Sequence, residues 1–224
     1  MALAKPDDFE DGTLDAVWTF VDPVGDCSYG ETGGKGIITV ASGAGHDAAN
    51  NAAARIVQPI DDTDFDLRIN ITPVVSGTNF RDTGFTFYTA GTNRLRCSVY
   101  GRSGGGNQLG YAASYTNNTT LGTQFFNAAI PASQSWLRVA RAGNDFEFFR
   151  GTDGANWTSM ATFTYAMTVN AVALHGGNAS GNPAHTAEFL AFQNPDYVPP
   201  GGGPTSRAAG AGCGGSRGNV AAGC

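Results

Sequence analysis

Residues 64–71 read Asp64-Phe65-Asp66-Leu67-Arg68-Ile69-Asn70-Ile71, and this stretch alternates polar and apolar side chains without a break. A β-strand directs successive side chains to opposite faces, so Phe65, Leu67, Ile69 and Ile71 should share one face. Such alternation is typical of an antiparallel sheet with one face buried and the other in water. The stretch therefore predicts one strand of a layered all-β domain.

Shorter alternating patterns follow along the chain, separated by turns rich in glycine, asparagine and aspartate. Gly143-Asn144 and Asp153-Gly154 lie between such patterns in the manner of consecutive β-hairpins. No stretch has helical periodicity over ten or more residues, and the run 47–54 is either a loop or one helical turn. The further predicted strands cover residues 36–40, 84–88, 94–100, 110–115, 136–140, 145–149, 160–165, 171–174 and 186–192.

The composition agrees with an all-β domain of ordinary size. The chain has 224 residues, and only 14% of them are charged, with four Glu and two Lys. Long amphipathic helices need more Glu and Lys than this, whereas one sandwich of this length is common. The net charge of −6 argues against a nucleic-acid partner, and no stretch resembles a membrane span.

The composition changes after Val198. The 26 residues 199–224 include nine Gly, five Ala and three Pro, and Val220 is their only large aliphatic residue. Such a segment cannot bury enough apolar surface to offset the entropy of ordering its backbone. We predict a sandwich over residues 1–198 and a docking tail over residues 199–224 that binds neighbouring protein subunits.

Several segments resemble the concanavalin A-like lectin/glucanase superfamily. They are the opening DFEDGTLD at 8–15 with Trp18, GHD at 45–47, the hairpin segments WLRVARAGN at 136–144 and TDGANW at 152–157, and the loop GNPAH at 181–185. The chain is most similar to the "regulation of enolase" family of unknown function and to the C-terminal sandwich of β-xylosidases. The resemblance spans about residues 7–195. It implies a two-sheet antiparallel jelly-roll sandwich.

The implied fold hosts lectins, carbohydrate-binding modules, hydrolases and structural proteins, so function must be argued from sites. Its hydrolases usually carry Glu-x-Asp-x-x-Glu on one strand, and this sequence has no such run. Asp145 and Glu147 share one face of a predicted strand, but Phe146 and Phe148 belong on the core side. We therefore expect Asp145 and Glu147 to lie on the solvent face without a catalytic role. Glu188 is isolated among core positions, so we expect it to have a structural role. We expect a lectin-like module that is not an enzyme; a glycoside hydrolase or its accessory domain is the alternative.

A sugar-binding cluster is predicted where two polar loops would have to meet at one end of the sandwich. It comprises His46, Asp47, Asn50, Asn178, Asn182 and His185. The alternative interpretation of the two histidines is that they brace the loops by hydrogen bonding. Trp18, Trp136 and Trp157 are expected in the core or in hairpin packing. Outward-facing tyrosines on central strands are better platforms for a sugar ring, and the candidates are Tyr88, Tyr100, Tyr111 and Tyr115.

The sequence predicts no cofactor beyond a structural calcium ion of the kind that many relatives of the fold hold. The acidic segments 61–64 and 7–11 can supply hard oxygen ligands, although aspartate is also common in ordinary loops. Cys27, Cys97, Cys213 and Cys224 fit no zinc or redox spacing, so no other metal site is predicted. Cys27 and Cys97 are either two buried thiols or a disulfide.

The start of the chain carries no apolar run between Met1 and Pro6 that resembles a signal peptide. We therefore expect synthesis in the cytoplasm without a secretion signal. With the docking tail, this favours a homo-oligomer or a component of a large assembly such as a phage particle. The expected location is a virion or extracellular surface, where the sandwich could bind cell-surface glycans.

Overall fold

Two antiparallel sheets of seven strands pack face to face, which confirms the predicted all-β sandwich. The computed structural model describes residues 3–73, 80–101, 107–179 and 183–199. The strands are β1 (Thr19–Val21), β2 (Ser28–Glu31), β3 (Gly36–Val40), β4 (Ala54–Pro59), β5 (Phe65–Ile71), β6 (Arg81–Tyr88), β7 (Arg94–Gly101), β8 (Asn107–Thr116), β9 (Thr120–Pro131), β10 (Trp136–Ala142), β11 (Asp145–Gly151), β12 (Trp157–Thr164), β13 (Ala171–Asn178) and β14 (His185–Gln193). Sheet I has the strand order β12-β11-β10-β5-β14-β3-β2, and sheet II has the order β1-β4-β13-β6-β7-β8-β9.

The alternating stretch at 65–71 forms β5, near the middle of sheet I. Its four apolar residues are buried, and the polar residues between them are partly exposed. β5 pairs with β10, where Leu67 lies opposite Val139, and with β14, where Ile69 lies opposite Phe192. The period-two pattern thus fixes which face of this strand enters the core.

The core lies between the sheets and is rich in phenylalanine. Phe65 of sheet I stacks on Phe87 of sheet II with ring centroids 5.1 Å apart. Phe85 and Leu95 are fully buried beside them. Burying each such side chain stabilises the fold by about 1.5–3 kcal/mol. Cys97 lies in the same core and is a free thiol, as is the half-buried Cys27, so the thiol alternative is the one observed.

Sheet II differs from an ordinary sandwich sheet because part of its outer face is also covered. The connection at residues 41–53, here called the covering segment, crosses this face. The Arg94 guanidinium donates to the Ala49 carbonyl oxygen at 2.6 Å, and the Tyr88 hydroxyl donates to Asn51 Oδ1 at 2.8 Å. As a result, Arg94 and Arg96 are buried although both point away from the core.

The covering segment contains one 3₁₀ turn, Ala48–Asn50, so the helical-turn alternative for this run is the one observed. The Asp47 side chain caps the turn by accepting a hydrogen bond from the Ala49 backbone N–H. Asn51 closes it in the left-handed conformation, which asparagine adopts more readily than most residues. No helix in the described part of the chain is long and apolar enough to span a bilayer.

The predicted tail falls outside the described residues, apart from Pro199.

The tryptophans pack as expected. Trp18 is buried edge-on against Phe192, and Trp136 meets Trp157 in the hairpin region with ring centroids 6.4 Å apart.

Candidate functional site

A cavity of about 380 Å³ opens on the outer face of sheet II, beside the covering segment. Its floor is made by outward side chains of three neighbouring strands, among them Asp82 of β6, Arg96 of β7 and Tyr111 of β8. These side chains point away from the core because their strand neighbours, such as Cys97, point into it. The remaining lining residues are Asp47, Ala48, Ala49, Phe80, Tyr100, Tyr115, Asn178 and Ala179.

A buried ion pair anchors the cavity floor. Arg96 bonds to Asp82 Oδ2 at 2.7 Å, and both side chains are more than nine-tenths buried. The Nε2 atom of His175, on β13, lies within hydrogen-bonding distance of the same Asp82 oxygen, at 3.2 Å. Since an ionised carboxylate only accepts hydrogen bonds, Nε2 is the donor, and the other ring nitrogen then accepts from the Thr86 hydroxyl at 3.0 Å.

The Asp82 carboxylate is ionised and only half satisfied. Burial by itself would raise its pKa, but the positive charge of Arg96, the interactions with His175 and the Ser98 side chain hold it well below the usual range. Its second oxygen, Oδ1, is buried and accepts no hydrogen bond from any residue that the structure describes. A buried acceptor without a partner costs about 1–3 kcal/mol. Asp82 lines the cavity, but this oxygen is shielded from solvent, so the carboxylate contributes a buried charge to the floor rather than an open hydrogen-bond acceptor.

Aromatic rings form much of the cavity surface around the Asp82–Arg96 ion pair. Tyr100 meets Tyr111 edge to face, with ring centroids 5.8 Å apart, and stacks on Phe80 at 5.9 Å. The Arg96 guanidinium lies 4.6 Å from the centre of the Tyr111 ring and holds that ring in place. Tyr100 and Phe80 are half-buried, so part of each ring remains open to a ligand.

Tyr115 closes the inner end of the cavity and does little to bind a ligand itself. It is buried, with the Arg94 guanidinium 4.1 Å from its ring centre, and its hydroxyl lies 3.2 Å from that of Tyr111. The combination of aromatic surface and a few fixed polar groups is what sites for polar organic ligands share. The partly exposed rings of Tyr100 and Phe80 suit a ligand with an apolar ring face.

Two of the six residues predicted for sugar binding border this cavity. Asp47 is half-buried in its wall. Asn178 also borders it, but the side-chain amide is engaged elsewhere: Nδ2 donates to the Ala41 and Pro183 carbonyl oxygens, and Oδ1 accepts from the His46 backbone N–H. The two predicted loops do meet, through this contact between His46 and Asn178.

Of the other four residues, the three that the structure describes do not line the cavity. His46 is fully buried with its ring towards Asp26, and His185 is buried against the Thr83 hydroxyl at 2.9 Å. Both histidines therefore brace the structure, which was the alternative interpretation. Asn50 is exposed in the 3₁₀ turn, and Asn182 lies outside the described residues. Reasoning from sequence missed Asp82 and Arg96, while three of the four candidate platform tyrosines do line the cavity.

The carboxylates that were weighed for catalysis lie elsewhere. Asp145 is exposed and Glu147 partly exposed on β11, while Phe146 between them is buried, as the alternation predicted. Glu188 accepts from Lys35 at 2.8 Å and from the Thr72 hydroxyl, which is a structural role.

The acidic segments predicted to bind calcium use their oxygens inside the protein. Asp62 pairs with Arg141 and accepts the Val169 N–H, and Asp7 accepts from the Phe9 N–H and the Trp18 indole. Within the described ranges, a different group could hold a metal: Asp26, Cys27 and His46 have ligand atoms within 4.8 Å of one another. The sequence predicted no such site because the cysteine and the histidine are far apart along the chain.

Comparisons with known proteins identify the fold and no family. No protein-family model and no curated protein matches the chain. Among solved structures, the GH43 protein BlXynB from Bacillus licheniformis aligns with a TM-score of 0.65 and 15% identity over 84% of this chain and 38% of its own. The xylan β-1,4-xylosidase from Bacillus halodurans C-125 aligns with a TM-score of 0.61 and 12% identity over 87% of this chain and 39% of its own.

A third similar structure is a complete module. The CBM2 module of the evolved Dit of Lactobacillus casei BL23 phage J-1 aligns with a TM-score of 0.58 and 11% identity, over 87% of this chain and 96% of its own. The chain thus spans about two fifths of the GH43 chains but nearly all of the phage module. These similarities place the chain in a sandwich fold that carbohydrate-related proteins use. The closer resemblance to the "regulation of enolase" family stays a prediction.

Proposed function

We propose that this chain is a non-catalytic, lectin-like module that binds glycans in the tyrosine-lined cavity. The observation that carries the proposal is a cavity in which the partly exposed rings of Tyr100 and Phe80 lie beside the buried Asp82–Arg96 ion pair. A sugar offers an apolar ring face that can pack on these aromatic rings. The low pKa of Asp82 also favours binding over hydrolysis, because a general acid must hold a proton near neutral pH.

We further propose that the module belongs to a virion or another large assembly, where it decorates the surface and contacts glycans on a cell. Support comes from the phage module that this chain matches over 96% of that module's length. The proposed docking tail would join the sandwich to neighbouring subunits. A glycoside hydrolase, or an accessory domain of one, is the competing function.

A glycan array with the full chain tests binding, followed by calorimetric titration of the best glycan. Tyr100→Ala removes a half-buried ring at the cavity, and we expect at least a tenfold loss of affinity, about 1.4 kcal/mol. Tyr165→Ala is the matched control, because this ring is also half-buried but packs against Phe125, away from the cavity. Equal affinities of the two variants would contradict the placement of the site. The absence of any glycan ligand would favour a purely structural role.

An assay of reducing-end release tests the absence of catalysis. We expect no release from a panel of polysaccharides, because the sequence lacks the Glu-x-Asp-x-x-Glu run that hydrolases of this fold usually carry on one strand. Release by the wild type that disappears in Glu147→Gln would instead support the hydrolase.

A further inference from the structure

Three chemically different side chains converge where the covering segment leaves sheet I. Asp26 and Cys27 lie directly before β2, and His46 lies in the covering segment, 20 residues from Asp26 along the chain. Their carboxylate, thiol and imidazole atoms all lie within 4.8 Å of one another. The His46 side chain is fully buried, whereas that of Asp26 is 37% exposed, so solvent reaches the group from the aspartate side.

The surroundings of His46 offer a hydrogen-bond acceptor to each ring nitrogen. Asn178 is fixed in orientation because its Nδ2 donates to the carbonyl oxygens of Ala41 at 3.0 Å and Pro183 at 2.9 Å. Its Oδ1 must then be the acceptor, and it lies 2.9 Å from the His46 backbone nitrogen and 3.3 Å from Nδ1 of the ring. A neutral His46 can therefore donate from Nδ1 to Asn178 or from Nε2 to the Asp26 carboxylate.

With the hydrogen on Nδ1, the other ring nitrogen presents a lone pair to a carboxylate. His46 Nε2 lies 2.5 Å from Asp26 Oδ1. In that tautomer a positive ion beside the two atoms would offset their repulsion. Metal-binding histidines almost always donate their other N–H to an oxygen acceptor, which fixes the tautomer, and Asn178 offers His46 such an acceptor.

We propose that Asp26, Cys27 and His46 bind a zinc ion, with water as the fourth ligand. The set of one sulfur, one nitrogen and one oxygen suits zinc, whose sites draw on all three ligand types and are usually tetrahedral. Calcium and magnesium prefer oxygen ligands alone. Asp22 holds the loop that presents the ligands, because its carboxylate accepts the backbone N–H of Cys27 at 2.6 Å and of Val24 at 3.1 Å.

Zinc binding requires Cys27 to lose its proton. In the metal-free protein, burial first and the neighbouring Asp22 and Asp26 charges raise the pKa of Cys27 to about 11, so the side chain is a thiol. Coordination forms the zinc–sulfur bond and releases this one proton to solvent. Affinity should therefore weaken as the pH falls.

A hydrogen bond from His46 Nε2–H to the Asp26 carboxylate is the competing explanation of the short contact. In that arrangement the Cys27 thiol also donates to Asp26 Oδ1, with its sulfur 3.6 Å away. The two explanations therefore differ in whether the sulfur binds a metal ion. Zinc would also tie the start of β2 to the covering segment, whose His46 carbonyl oxygen accepts from the Asn178 N–H at the border of the cavity.

The experiment titrates the full chain, reduced and freed of metal by a chelator, with Co²⁺ and then Zn²⁺. Cys213→Ser and Cys224→Ser are introduced throughout so that thiols of the tail do not contribute. We expect one equivalent of Co²⁺ with a thiolate-to-cobalt charge-transfer band and the intense visible bands of a tetrahedral site, both abolished by Zn²⁺. The unfolding midpoint should rise with the Zn²⁺ concentration.

Three single variants locate the ligands. Cys27→Ser should remove the charge-transfer band, and His46→Gln and Asp26→Asn should each weaken Zn²⁺ binding at least tenfold. Asp26 is exposed, so Asp26→Asn tests the site without threatening the fold, and Asp8→Asn is its matched exposed control with unchanged affinity. If Co²⁺ gives no saturable signal, or if Cys27→Ser and Asp26→Asn bind like the wild type, the zinc site is refuted and the hydrogen bond between His46 and Asp26 remains.

Discussion

His185 should make the stability of the sandwich sensitive to mild acid. It begins β14, is 7% exposed and lies 2.9 Å from the Thr83 hydroxyl through Nε2. Burial, aided by the charge of Arg81, lowers its pKa to about 4 from an ordinary 6.5. The unfolded chain restores the ordinary pKa, so between these two values the unfolded state binds a proton that the folded state does not.

The size of the effect follows from the shift. Stability from this group is fully present above about pH 6.5 and falls as the pH drops, by about 1.4 kcal/mol for each pH unit in the window. The free energy of unfolding should lose about 2 kcal/mol between pH 7 and pH 5 and about 3 kcal/mol by pH 4 from His185 alone.

Urea unfolding of the wild type and His185→Asn at pH 7, 6 and 5 measures this loss. Asparagine keeps a hydrogen-bonding group near Thr83 but does not titrate in this range, so the variant is less stable at pH 7 and less dependent on pH. The difference between the two proteins should shrink by about 2 kcal/mol from pH 7 to pH 5. His175 and the carboxylates titrate in both proteins and cancel in the difference. Curves that run parallel across this range would refute the reasoning.

Three other substitutions or truncations have defined outcomes. Gly176→Ala would place its Cβ 2.6 Å from the Ala187 Cβ of the facing sheet, so urea unfolding should show a loss of about 1–3 kcal/mol, and an unchanged midpoint would contradict this packing. Asp82→Asn leaves the buried Arg96 charge unpaired and should cost about 3–5 kcal/mol, much of which a further Arg96→Met should recover; a double variant no more stable than the single one would contradict the ion-pair argument. Truncation after Val198 should leave the melting temperature nearly unchanged and weaken assembly in light scattering, whereas a truncated chain that unfolds, or that assembles like the full chain, would refute the docking tail.

The strands that the sequence missed are β1, β2, β4 and β9. Length or side-chain pattern explains why β1, β2 and β9 were missed, whereas β4 does alternate buried and partly exposed residues. β9 lies at the edge of sheet II and is mostly exposed, so it has no continuous apolar face to detect. β1 and β2 span only three and four residues, too few for a period to stand out.

The candidate site was predicted only in part. The alternation in β7 correctly puts Leu95, Cys97 and Val99 on the core side, and by default its arginines and Tyr100 on a solvent face. That default fails because the covering segment crosses the face and buries Arg94 and Arg96. The local sequence of β7 does not indicate that the covering segment, more than 40 residues earlier in the chain, shields the polar side chains of this strand from solvent.

Local sequence thus determined the fold class, the core faces of the main strands and the tyrosines that could face outward, because side-chain alternation follows directly from backbone geometry. Only the tertiary structure decided which polar residues meet. His46 and Asn178 are 132 residues apart in the chain, and Thr83 and His185 are 102 apart, yet both pairs are hydrogen-bonded. Such contacts depend on strand order and loop path, and the cavity and the proposed zinc site exist only because several separate segments are brought together there.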